Sequence, residues 1–278
     1  MPSHATAAAR YLSLILAVIG VPATRAQPAV STSITFEAAS IRQSKPGDTR
    51  RLMMEFLPGG RFRAANTPFI AILGTAYDIP WQSIETFRIK GVPDSLLTER
   101  YDIEATADRA SISNSAPVKS RNRTIRLMLQ AVLADRFKLQ IARRTEVMSV
   151  YAITIGQHGS KLEKAKIEPG DCQESAPFGG SGCHQFLGGA GRGIRGAAVD
   201  IADLALYVSN WSDAPLIDQT GLTDLFSIQT DGWSTMPSDD PTRPTLFSVF
   251  ERLGLKLVRK KAPIEVFVVQ HVERPSLN

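Results

Sequence analysis

Apolar and polar positions run along this chain in one order, and then in that order again. Residues 61–156 and 192–272 each carry a Gly/Arg strand, an amphipathic helix, paired extended stretches, a second helix and a closing hairpin. The correspondence is positional. Phe69, Ile72, Leu73 and Ala76 fall on Ile201, Leu204, Ala205 and Val208 at an offset of 132. Val92 to Ile103 falls without gaps on Ile217 to Ile228 at 125. Leu129, Val132 and Leu133 fall on Leu246, Val249 and Phe250 at 117, and Val150-Tyr151 on Val266-Phe267 at 116. Offsets that drift only in loops are the mark of a duplicated fold.

Local chemistry punctuates the pattern. Thr67 before Pro68 predicts an N-cap with proline at the first helical position, and Asp200 with Asp203 predicts a cap plus an acid that suits the helix dipole. Both following helices keep apolar residues at i, i+3, i+4 and i+7, one buried stripe each. The second helices are expected from about 124 to 135 and between Pro244 and Gly254. Short strands are expected at 88–90 with 100–105 and at 216–218 with 225–230. Closing hairpins are expected at 138–143 with 150–155 and at 256–259 with 264–269. Ahead of these, 34–42 reads as a strand, and 52–56 with 61–65 as a hairpin around Leu57-Pro-Gly-Gly60. The fold class is therefore α+β: two tandem β-α-β-β-α-β-β lobes, preceded by an N-terminal strand and hairpin. The first lobe and its N-terminal additions span 27–156, and the second spans 194–278. Residues 157–193 form a glycine-rich linker.

Residues 1–26 are laid out as a secretory signal peptide: Arg10, an apolar run from Tyr11 to Val21, and Thr24-Arg25-Ala26 before a cut at Gln27. The apolar run is well short of the roughly 20 residues that span a bilayer, so no membrane span is expected in the mature chain. The expected location is outside the cytoplasm, periplasmic or secreted. Removing Arg10 and Arg25 leaves 30 Lys+Arg against 27 acids, a net charge of +3, too little phosphate neutralisation for nucleic-acid binding. Basic residues gather in small clusters at Arg121/Arg123/Arg126, Arg143/Arg144 and Arg259/Lys260/Lys261. In an exported chain the two cysteines, Cys172 and Cys183, most simply form a disulfide, expected to serve only the glycine-rich loop around it.

Several strings carry a family resemblance: Phe36-Glu-Ala-Ala-Ser-Ile41, Gly60-Arg-Phe-Arg-Ala-Ala-Asn66, Leu133-Ala-Asp-Arg-Phe-Lys-Leu139, Asp218-Gln-Thr-Gly-Leu-Thr223, Leu253-Gly-Leu-Lys-Leu257 and Val268-Val-Gln-His-Val-Glu-Arg-Pro-Ser276. They resemble the exported "soil-associated" family of unknown function expanded in Acidobacteria, in order and over essentially the whole mature chain. The resemblance implies a bacterial extracytoplasmic protein without assigned catalytic residues. Some relatives carry this region behind a membrane metallopeptidase, which implies sensing or partner binding; that peptidase is lacking here. In topology alone each lobe also resembles the short signalling domain of secretins and TonB-dependent transporters, an analogy of fold and not of function.

No constellation of nucleophile, base and metal ligands stands out. No G-x-S-x-G elbow occurs, and the histidines lack the spaced partners of a zinc site, so neither a metal nor a cofactor is expected. Gly191-x-Gly193-x-x-Gly196 fits a dinucleotide-binding pattern but sits in the glycine-rich linker, outside any βαβ unit. Four residues are candidates for binding. Trp81 and Trp211 follow helix one of each lobe, with Tyr77 and Tyr207 four residues earlier, and would either plug the helix end or form paired contact patches. Asp218, in Asp218-x-Thr220-Gly221-Leu222, would cap a turn or contact a ligand. His271, beside Glu273 and Arg274, would be an edge-strand polar residue or a ligand contact. The expected function is a non-catalytic binding or scaffolding module for an envelope protein or small ligand. The alternative is an extracytoplasmic hydrolase acting on cell wall or polysaccharide.

Overall fold

A computed structural model describes residues 34–79, 88–113, 116–167, 172, 182–235 and 242–275. The chain is α+β, with three four-stranded sheets. In order it forms β1 (Ala38–Gln43), β2 (Met53–Leu57), β3 (Arg61–Pro68), α1 (Phe69–Tyr77), β4 (Ile89–Lys90), α2 (Asp94–Leu97), β5 (Arg100–Thr106) and α3 (Val118–Arg136). Then follow β6 (Gln140–Ile155), β7 (Glu163–Lys164), β8 (Leu187–Gly189), β9 (Gly193–Val199), α4 (Ile201–Val208), β10 (Leu216–Asp218), β11 (Phe226–Gln229), α5 (Leu246–Arg252) and β12 (Leu255–His271). The sheet orders are β1-β5-β3-β2, β10-β6-β12-β4 and β7-β11-β9-β8.

The central feature is a long antiparallel ribbon. β6 and β12 pair continuously from Ile155↔Leu255 to Gln140↔His271, with one register shift between Val269 and His271. The two closing hairpins expected within these segments are not formed; each is one long strand. The reason is local. Arg144-Thr-Glu-Val-Met148 offers no glycine, asparagine or proline to reverse the chain. Pro263 in β12 lies opposite Val147, away from the stretch that β4 covers, an outer edge where a missing N–H costs nothing. The short strands differ from expectation as well. β4 pairs in parallel with Phe267 and Val268 of β12, and β10 with Tyr151 to Ile153 of β6, while β5 and β11 join the other two sheets.

Two apolar cores flank the ribbon, and it supplies both. One gathers α1, α3 and the β1–β5–β3 strands, and takes Phe267 and Val269 from the end of β12. At its centre Phe137 lies 4.9 Å from Phe69 and 5.2 Å from Tyr101, ring to ring. The other gathers α4, α5, β9 and β11, and takes Tyr151 and Ile153 from β6 with Leu255 and Leu257 from β12. No helix among the described residues is long and apolar enough to cross a membrane.

Helix starts divide between the expected and the unexpected. Asp200 and Asp203 form a full capping box on α4, each carboxylate accepting from the other's backbone N–H. Thr67 does not cap α1. Its hydroxyl is turned to the Met53 and Ala65 carbonyls, 3.0 Å from each, and Pro68 occupies the cap position. In the linker, Gly193 (φ 78°) approaches so closely that an added Cβ would lie 2.0 Å from the Thr230 carbonyl oxygen. This part of the Gly191-x-Gly193-x-x-Gly196 pattern therefore serves sheet packing.

Cys172 and Cys183 form a disulfide. It is not confined to the loop. Both cysteines are buried in a third small cluster with Val118 at the start of α3, Ala198 of β9 and Leu225. The bridge thus joins the linker to both halves of the fold. A closed loop of this size removes about 3 kcal/mol of unfolded-state entropy in the chain-entropy model. The double variant Cys172→Ser with Cys183→Ser is expected to lose at least about that much stability in chemical denaturation, because two buried sulfurs also lose packing. Native protein should resist thiol-reactive reagents after mild reductant treatment until denaturant is added. Full reduction and labelling without denaturant would show the bridge to be peripheral.

Candidate functional site

A groove of about 880 Å³ lies between α3 and the end of α1 on one side and α4 on the other. Each wall follows from helical spacing. Lys119, Arg123, Arg126 and Gln130 stand at i, i+4, i+7 and i+11 of α3, one stripe about 17 Å long. Asp203, Leu206, Tyr207 and Asn210 face it from α4 and its continuation. The α1 end is secured by side chains of α3. Arg126 pairs with Asp78 at 2.8 Å, and Gln130 donates to the Ala76 carbonyl at 2.7 Å, satisfying an oxygen that the helix terminus leaves open. Asp78 itself holds a left-handed backbone (φ 56°) as the C-cap of α1. Phe56 lies beneath the Arg126 guanidinium, 5.2 Å from it to the ring centroid.

One end of the groove is closed by charge. Lys119 of α3 bridges Asp200 and Asp203 of α4, at 3.1 Å from Asp203 Oδ1. His184 Nδ1 lies 2.7 Å from Asp203 Oδ2; a carboxylate only accepts, so the ring carries its proton on Nδ1. His184 is placed by its neighbours. Cys183, one residue before it, forms an isolated bridge with Ala198, and the His184 N–H donates to the Ala198 carbonyl at 2.8 Å in a left-handed backbone (φ 61°). The disulfide cluster therefore holds both partners of the carboxylates, Lys119 through Val118 and His184 through Cys183.

The electrostatics follow from that packing. Burial would raise the Asp203 carboxyl, but the His184 hydrogen bond, the Asp200 backbone N–H and the Lys119 charge outweigh it and hold it below the ordinary aspartate value of 3.8. Burial would lower Lys119, yet its two carboxylate partners raise it above 10.5. Burial pushes both Tyr77 and Tyr207 up, so neither is poised to lose its proton at neutral pH. His184, Asp200 and Asp203 carry donor atoms within 4.8 Å of one another, enough to consider a cation. The Lys119 ammonium already bridges the two carboxylates, and both also cap α4, so the cluster reads as an ion-pair network.

The four residues singled out from sequence do not meet at one place. Trp81 lies outside the described residues. Trp211 is half-buried in a run of rings from Phe186 to Tyr207 to Trp211 to Trp233, with centroid separations of 5.1, 5.2 and 6.2 Å. It covers Gly189, where an added Cβ would sit 3.1 Å from the indole. Asp218 is exposed at the end of β10, where Oδ1 accepts from the Thr220 N–H and hydroxyl, both at 2.8 Å. His271 is exposed and pairs with Glu273 at 2.8 Å. Tyr77 and Tyr207 do reach the same groove. The residues missed were Lys119, Asn122, Arg126, His184 and Asp203 as one set. A legible signal existed in the basic stripe of α3, visible once the helix is extended back to Val118.

The sign of the pH dependence is fixed by these shifts. Asp203 has a lowered folded value, so its contribution is complete above pH 3.8 and is lost as pH falls through that folded value. Lys119 has a raised value, so its contribution is complete below pH 10.5 and lost as pH rises through the raised value. Lys119→Met is expected to raise the Asp203 pKa, read by carboxyl NMR titration, and to weaken the acid limb of the stability profile. At neutral pH the cost should stay within about 1 kcal/mol, because the ammonium is half-exposed. An unchanged Asp203 titration would show that Lys119 is not its partner in solution.

Neither the curated proteins nor the solved structures offer a match to this chain. A family described as "Protein of unknown function (DUF3738)" matches residues 71–272. That span begins in α1 and ends just past β12, taking in the central ribbon and both long walls of the groove. The chain belongs to this family of unknown function.

Proposed function

We propose that this protein is an exported, non-catalytic binding module whose site is the groove between α3 and α4. The observation that carries the reading is the state of the α3 stripe. Lys119 and Arg126 of α3 are already ion-paired, as is Arg143 of β6 nearby, whereas the side chains of Asn122 and Arg123 of α3 make no hydrogen bond or ion pair with the described residues. A wall that keeps a free amide and a free guanidinium beside apolar surface is suited to holding a ligand. The His184–Asp203 pair is the nearest thing to catalytic apparatus, but capping α4 and binding Lys119 account for it.

Export is supported by the signal-like residues 1–26 and by the buried disulfide. The duplication is supported by the ribbon. Arg143 lies over Phe267 at 5.3 Å and Arg259 over Tyr151 at 5.9 Å, and the two pairs are related by the same 116-residue offset that relates the strands. On this reading the halves exchange strands, β4 docking on the second half's β12 and β10 on the first half's β6. The resemblance to the soil-associated family of Acidobacteria points the same way, toward an extracytoplasmic partner.

The test compares three forms of the protein in recovery of bound material from native envelope fractions: the unaltered chain, Arg123→Glu, and Arg195→Glu as a charge control on β9. The expected outcome is loss of specific recovery for Arg123→Glu alone. Equal recovery by all three forms would remove the groove from consideration. N-terminal sequencing of the same preparation should begin at Gln27.

A further inference from the structure

We infer that the outer edge of β6, from Ile141 to Ser149, pairs antiparallel with the same edge of a second copy of this chain, about a twofold axis at Thr145. β10 covers that edge only at Tyr151 to Ile153, and no other described strand pairs with it. The direction of the free backbone groups is fixed by their neighbours. The Tyr151 N–H donates to the Pro215 carbonyl and the Ile153 carbonyl accepts from the Gln219 N–H, both at 2.9 Å on the β10 side. The pairing with β12 runs without a register shift from Ile141 to Ile155. Alternation therefore turns the N–H and C=O of Ile141, Arg143, Thr145, Val147 and Ser149 the same way, outward.

The two edges of the ribbon are unequal. Val147 and Pro263 stand opposite each other and are related by the 116-residue offset of the repeated pattern, so they mark equivalent points. On β12 the edge is closed. Pro263 has no N–H, the Glu265 carbonyl accepts from Arg88 Nε at 3.0 Å, and Lys260 and Lys261 stand exposed beside it. On β6, residues 140–149 contain neither proline nor glycine, and the β-branched Thr145 and Val147 are exposed, Val147 at 69%. One open edge per chain favours a closed pair over an endless stack.

The order of charges about Thr145 selects a second copy as the occupant. Arg144 is exposed, and its guanidinium has no hydrogen bond or ion pair with the described residues. Glu146 gives Oε2 to Lys90 at 2.5 Å, and its Oε1 has no partner among the described residues. Residues opposite one another in an antiparallel pair both turn their backbone groups inward or both outward. A twofold axis near the middle of the stretch therefore falls on Arg143, Thr145 or Val147. At Arg143 it would set that arginine against its own copy. At Val147 it would run almost at once into the edge that β10 holds, and would set Glu146 against Met148. At Thr145 it sets Arg144 against Glu146 of the second copy and Glu146 against Arg144 of the second copy. Both are non-hydrogen-bonded pairs, in which side chains lie closest. The pairing then ends at Ser149, short of Tyr151.

The experiment is sedimentation velocity on the purified protein. From about 1 to about 100 μM it is expected to show a reversible monomer–dimer equilibrium, with a midpoint on the order of 10 μM and no larger species. Arg144→Glu and Glu146→Arg each set like charges opposite one another across the axis, and each should weaken the dimer about tenfold or more. An equimolar mixture of these two variants again sets Glu against Arg, so dimer should return, as a heterodimer, at close to the original affinity. Lys261→Glu, on the closed edge of β12, should leave the equilibrium unchanged. Far-UV circular dichroism and unfolding midpoints confirm that each variant is folded. A protein that stays monomeric throughout the range overturns the inference, as does a dimer indifferent to Arg144→Glu. Loss in both single variants without recovery in the mixture overturns it too. So do species larger than a dimer, or dissociation by Lys261→Glu.

Discussion

The pairing of β6 with β12 is the constraint on which the rest of the structure depends. A ribbon of this length registers two segments 100 or more residues apart, and slipping it by one residue would turn every side chain to the opposite face. The slip would expose Tyr151, Ile153, Leu255 and Leu257 from one core and Phe267 and Val269 from the other, all buried as placed. Both cores therefore vote for the same register. Because the ribbon is common to them, the two halves cannot part without losing both, and the helices carried on each half stand at a fixed separation. The groove between α3 and α4 is framed by helices that this pairing holds together.

Much of this was legible in the chain, and what was not has identifiable causes. The α4 capping box, the αL turn at Gly221 and the disulfide partners depend on residues close in sequence, and Asp200, Gly221 and Cys172 announce them locally. The ribbon does not. Hairpins were expected because two apolar runs flank a polar tract in each segment, and a polar tract between strands usually turns. Here Arg143 to Glu146 stay extended because their partners lie on β12, including Glu265 opposite Thr145 and Phe267 opposite Arg143. Pairing between distant segments overrode a local pattern. The start of α3 was missed for a similar reason: Val118 has few apolar neighbours in sequence, and it is buried by the disulfide cluster, not by its own helix's stripe.

The strings that carry the family resemblance turn out to sit at turns and anchors of the fold. Asn66 holds a left-handed backbone (φ 46°) at the bulge between β3 and β5, and its amide donates to the Asp48 and Arg50 carbonyls at 3.2 and 2.5 Å. Lys138 (φ 52°) ends α3 in a left-handed backbone while the Leu139 N–H reaches back to the Leu133 carbonyl at 3.2 Å. Gly254 (φ 71°) does the same office after α5. Glu273 donates its N–H to the Phe137 carbonyl, and Arg274 pairs with Glu99 at 2.6 Å, fastening the chain beyond β12 to the first core. At these positions a structural occupation accounts for the residue type.

That division sharpens the choice between binding and chemistry. In the groove, Asp203 and Lys119 are shifted by, and satisfy, one another, and the groove's tyrosines are held protonated by burial. A catalytic carboxylate needs a pKa near its working pH, and the Asp203 shift runs the other way, toward a permanently charged anchor. The unspent capacity of the groove lies instead in groups that cannot titrate near neutrality, the Arg123 guanidinium and the Asn122 amide. Such groups recognise and hold; they do not move protons. A closed ion-pair network at one end and open donors along the wall are what support the proposed reading of the groove as a binding surface.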